Sequence, residues 1–76
     1  MVSSMRVRVS DRALLHDLIR YLGEGGCIVE QASATMLNVF LPSTPDYQEA
    51  RAELGDYLTA WRILNPGVDT KVFDFA

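Results

Sequence analysis

The feature that most constrains this chain is the order in which its apolar period changes: two, then 3.6, then two, two, 3.6 and two again, within 76 residues. That order predicts βαββαβ. A chain so arranged can bury both helices on one face of a four-stranded sheet and leave the other face open. Seventy-six residues allow a single domain, because a chain this short buries only about 60% of the surface it exposes when unfolded. Residues 1–4 precede the first periodic segment and are expected to form a flexible N-terminus.

Met5, Val7 and Val9 alternate with Arg6, Arg8 and Ser10, the pattern of a half-buried strand with its apolar set inward. Ser10 or Asp11 then offers an N-cap. Leu14, Leu15, Leu18, Ile19 and Leu22 fall within about 140° of a helical wheel, with His16, Asp17 and Arg20 opposite. Gly23 is the expected residue just past that helix. Residues 27–32 and 35–41 read as an antiparallel hairpin around Ser33 and Ala34. In its second strand Leu37, Val39 and Leu41 point inward, while the first strand leaves Ile28 and Val29 as equal candidates for the buried member.

Thr44-Pro45 suits the start of a second helix, since proline at the first helical position gives up an N–H that has no partner anyway. Tyr47, Ala50, Leu54, Tyr57, Leu58, Trp61 and Leu64 share about 120° of that helix, and Asn65, Pro66 and Gly67 end it. The last strand runs from about Val68 to Phe75. The core is expected to centre on Trp61, Leu54, Leu58, Leu18, Val7 and Val39, flanked by Leu37.

This order predicts an α+β, ferredoxin-like βαββαβ domain spanning residues 1–76, a four-stranded antiparallel sheet with two helices on one face. In the first half, Asp11-Arg12, Leu14-Leu15, Leu18, Leu22, Gly26, Val29 and Ala32-Ser33 resemble the ACT domain. The resemblance implies a module that binds amino acids or other small metabolites and pairs with a second copy. Ala13 stands where that family usually carries a Pro-Gly or similar pair after the first strand. From Pro42 onward the agreement is in element order alone.

Chemistry is sparse along the chain. A nucleophile needs a base and an orienting group, but the sequence holds one His, His16, and one Cys, Cys27, predicted on opposite sides of the fold. The expectation is a solvated His16, a buried structural Cys27 and no enzyme. No paired Cys or His spacing suggests a metal, and no cofactor is expected. Asp46, Glu49, Glu53 and Asp56 form an acidic side of the second helix that reads as a solvated face favouring the helix dipole. Gly23-Glu24-Gly25-Gly26 follows a helix and precedes a strand, the reverse of a phosphate loop, so it reads as a turn.

Charge and hydropathy narrow the partners. Seven Lys and Arg against ten Asp and Glu give a formal charge of −3, which opposes a broad nucleic-acid footprint. No apolar run reaches the roughly 18 residues of a membrane span, and no secretory signal layout opens the chain, so a cytoplasmic domain is expected.

One group of residues stands above this background. With the registers above, Arg6, Arg8, Met36, Asn38, Phe40, Lys71 and Phe73 share the open sheet face, with Phe75 beside them. Apolar anchors ringed by cations suit protein association, with a second copy or another chain, through that face or a sheet edge. A small-metabolite sensor is the alternative. A single-stranded RNA platform is a third reading, opposed by the acidic balance and by having only Phe40 as an aromatic on the central strands.

Overall fold

The computed structural model describes residues 3–74. Four strands, β1 (Ser3–Val9), β2 (Ile28–Gln31), β3 (Met36–Leu41) and β4 (Thr70–Asp74), enclose two α-helices in sequence, α1 (Leu15–Glu24) and α2 (Tyr47–Leu64). The expected βαββαβ order is therefore present, with one 3-10 turn, Arg12–Leu14, leading into α1. The sheet is antiparallel throughout, in the order β2-β3-β1-β4, so β1 and β3 lie in the middle and β2 and β4 form the edges.

Alternation fixes which side of each strand is buried. Met5, Val7 and Val9 on β1 and Leu37, Val39 and Leu41 on β3 are buried together with Leu15, Leu18 and Leu22 of α1 and Ala50, Leu54, Leu58 and Trp61 of α2. Both helices thus cover one face, and among the described residues no layer covers the opposite face. Trp61 is 1% exposed at the centre of the core, where truncation of a large side chain to alanine costs about 3–5 kcal/mol. The seven residues expected at the core are all buried.

Several boundaries differ from those expected. Asp11 caps the 3-10 turn by accepting the Ala13 N–H at 2.9 Å, while Ser10 accepts the Asp69 N–H at 2.8 Å and so ties the start of this turn to the approach to β4. α1 continues past Gly23. The residue beyond its cap is Gly26, with φ +96°, and the Gly26 and Cys27 N–H groups return to the Gly23 and Leu22 carbonyls at 3.1 and 3.0 Å. Two crossing bonds of this kind require the left-handed conformation at Gly26, which glycine adopts without a Cβ clash. α2 is capped by Asp46, which accepts the Gln48 N–H at 2.9 Å, so the helix starts after Thr44-Pro45. The Thr44 hydroxyl instead donates to Glu53 at 2.6 Å.

The apolar stripe of α2 is also shorter than its wheel suggests. Tyr47 is exposed and Leu64 is 71% exposed, although both lie on the core side of the wheel. Length explains this: 18 helical residues extend about 27 Å, whereas strands of four to seven residues extend about 13 to 23 Å, so both ends of the helix overhang the sheet. Val68 is buried but precedes β4, which begins at Thr70. Ser3 and Ser4 pair with Leu41 and Phe40 as part of β1; residues 1–2 and Phe75 lie outside the described residues.

Candidate functional site: the open sheet face

Arg6 is paired with Asn38 of β3 on one side and Phe73 of β4 on the other, and Arg8 likewise sits between Met36 and Lys71. All six belong to the outward set because Val7, their in-between neighbour on β1, is fully buried. Phe40 lies opposite Ser4 in the next row. The seven residues expected on the open face are therefore together on it.

The register of β2, left open by its sequence, adds two more. Val29 pairs with Val39 and packs against the core, which sends Ile28 out beside Phe40 and Glu30 out beside Asn38. Ile28 is 57% exposed. The sequence signal was ambiguous because Ile28-Val29-Glu30-Gln31 offers one apolar and one polar residue to either face. The cross-strand Val29–Val39 contact on the helix side decides it.

The face is divided by chemistry. Ile28, Met36 and Phe40 form an apolar area over β2 and β3. Over β1 and β4, Arg8 and Lys71 hold their cations 5.7 and 5.2 Å from the centre of the Phe73 ring, within the range where a cation is attracted to an aromatic face. The Arg6 Nε donates to Asn38 Oδ1 at 3.4 Å, at the seam between the two areas. Met36, Asn38, Phe40 and Phe73 are half-buried by their neighbours, whereas Arg6, Arg8 and Lys71 are exposed.

Charge is distributed unevenly across the molecule. Three of the seven Lys and Arg lie on this face, with Glu30 as the one acid on it among the described residues. The rest of the chain carries four cations and nine acids. A cationic sheet face and an acidic remainder thus coexist in a chain of net charge −3.

Other candidate chemistry lies elsewhere. His16 is exposed on α1, and Cys27 is buried just ahead of β2. Burial pushes the Cys27 thiol up from its ordinary value, and the nearby Glu53 charge adds to this. Of the acids on α2, Asp46 caps the helix, Glu53 accepts from Thr44, and Glu49 and Asp56 are exposed. A groove of about 410 Å³ between α1 and the end of α2 is lined by Asp17, Arg20, Tyr21, Glu24, Leu64 and Asn65, with Trp61 at its floor. Among the described residues no group of three or more His, Cys, Asp or Glu could hold a metal, and no helix is long and apolar enough to cross a membrane. Set beside known proteins, the chain matches no family model, no curated protein and no solved structure.

Proposed function

We propose that this chain is a non-catalytic binding or regulatory module of the cytoplasm that works through protein association across its open sheet face. The observation that carries the reading is the pairing on that face of an apolar area, Ile28, Met36 and Phe40, with three exposed cations, Arg6, Arg8 and Lys71. Apolar side chains supply the area removed from water, and the surrounding charges orient the partner. We read the fold as ferredoxin-like: counted from the β4 edge the strand order is 4-1-3-2, with both helices on one side. ACT-like metabolite sensing is the alternative that the first half of the sequence suggests. RNA stacking fits less well, because the Phe73 ring already has two cations close to its centre and β1 presents Ser4, Arg6 and Arg8 outward, none of them aromatic.

Sedimentation of the wild type and of Phe40→Glu tests this reading. Association is expected in the wild type, with a shift toward monomer in the variant, because a carboxylate buried without a partner costs several kcal/mol. Phe40 is remote from the helix-side core, so the melting midpoint should hold. A variant that folds and keeps the wild-type mass would remove the sheet face as the surface of association.

A further inference from the structure

Two copies that met sheet to sheet with β1 over β1 would bring Arg6, Arg8 and Lys71 against the same three cations. Like charges brought opposite one another are destabilising. The partner that fits must offer carboxylates to the cationic half of the face and an apolar projection to the other half. Such a surface is present on the opposite side of the same molecule.

The outward side of α2 carries Glu49, Ala52, Asp56, Thr59, Ala60 and Ile63, all exposed and within about 100° of the helical wheel. It faces away from the stripe that holds Leu54, Leu58 and Trp61 in the core. Its carboxylates, Glu49 and Asp56, lie within the first three turns, and Ile63, 74% exposed, projects from the last turn. Asp56 and Ile63 are seven residues apart, about 10 Å along a helix. By strand spacing and rise, Arg6 lies about 12 Å from Ile28 on β2 and Lys71 about 20 Å, while Glu49 lies about 21 Å along the helix from Ile63. The two surfaces therefore match in sign, in polarity and in spacing. They lie on opposite sides of one chain, so they can meet only between copies.

Resting on the reading that the sheet face is the surface of association, we infer that its occupant is α2 of a second copy, docked head to tail. Glu49 and Asp56 face Arg6, Arg8 and Lys71, and Ile63 seats against Ile28 and Phe40. A contact of this kind uses different patches on the two copies, so it adds subunits in a row unless the rotation closes a ring. Ion pairs at its rim make it weaken as salt is raised.

Two surface variants test the arrangement by complementation. Arg8→Glu blocks the sheet face, and Ile63→Arg blocks the helix side; both positions are exposed, so the fold should survive each. Each variant alone should sediment as a monomer. Mixed in equal amounts they should form a one-to-one dimer, since each retains the half the other has lost. If the wild type associates and Phe40→Glu disrupts it, but Ile63→Arg alone still associates as the wild type does, the contact is a symmetric sheet-face pair: the head-to-tail arrangement falls and the sheet-face reading stands; a mixture that stays monomeric overturns the arrangement too. A wild type monomeric at every concentration overturns the head-to-tail arrangement as well.

Discussion

The Trp61 indole donates its Nε1–H to Asp17 Oδ2 at 2.9 Å, joining the last turn of α2 to the first turn of α1. A buried indole needs a partner for its one polar hydrogen, and a carboxylate at the surface supplies it while staying in contact with water. The same carboxylate accepts from Arg20 through its other oxygen, Oδ1, at 3.0 Å. The bond from Trp61 is the main cause that holds the Asp17 carboxyl below the ordinary carboxylate range; burial opposes it, and Arg20 adds to the lowering.

A pH dependence of stability follows from this bond. Because Asp17 is lowered in the folded state, its contribution is complete above the ordinary carboxylate range and is lost as pH falls through its own, lower value. Asp17→Asn keeps an oxygen for the indole but has no proton to gain. Melting midpoints measured from about pH 6 down to about pH 2 should fall less steeply for the variant than for the wild type. Parallel curves would show that the bond to Trp61 does not depend on the charge.

Gly25 and Tyr57 form a second tie between the helices. The Tyr57 hydroxyl donates to the Gly25 carbonyl at 2.9 Å, and a Cβ on Gly25 would come within 2.8 Å of the tyrosine ring. Gly25→Ala should therefore cost about 1–3 kcal/mol, the usual range for an added methyl that must displace its neighbour. In a Tyr57→Ala background the same change should cost much less. Denaturant midpoints of the four proteins give the coupling, and additive effects would place the strain elsewhere.

Cys27 is 7% exposed, and its thiol is raised first by burial and then by Glu53. Since the thiolate is the reactive form, labelling by an aromatic disulfide at about pH 8 should be far slower in the native protein than in urea. Equal rates would mean that the segment leading into β2 opens readily in the folded state.

Much of the fold could be read from periodicity because burial here follows single, clean alternations. Arg6 and Arg8 between Met5, Val7 and Val9 leave β1 one register, and the same holds for Met36, Asn38 and Phe40 on β3. Those two strands carry most of the open face, so its seven expected residues could be assembled from the sequence. Ile28 and Glu30 could not, because the choice depends on a partner strand rather than on β2 itself. The overhanging ends of α2 were hidden for a related reason: a wheel records direction around the helix but not where the sheet beneath it stops. The Trp61–Asp17 and Tyr57–Gly25 bonds join residues 44 and 32 positions apart, a separation that no local pattern reports.

The central position of β1 has a consequence for how the chain acquires its structure. β2 and β3 can pair as a hairpin, but β1 joins β3 through pairs such as Ser3 with Leu41 and joins β4 through pairs such as Met5 with Asp74. Both seams of β1 wait for distant parts of the chain to meet, and closing those loops costs entropy before any contact offsets it. During synthesis β1 leaves the ribosome before β4 and must wait for it before both of its edges are paired. Until then its backbone donors and acceptors have water as their partner on at least one side, and the sheet is completed only once β4 has emerged.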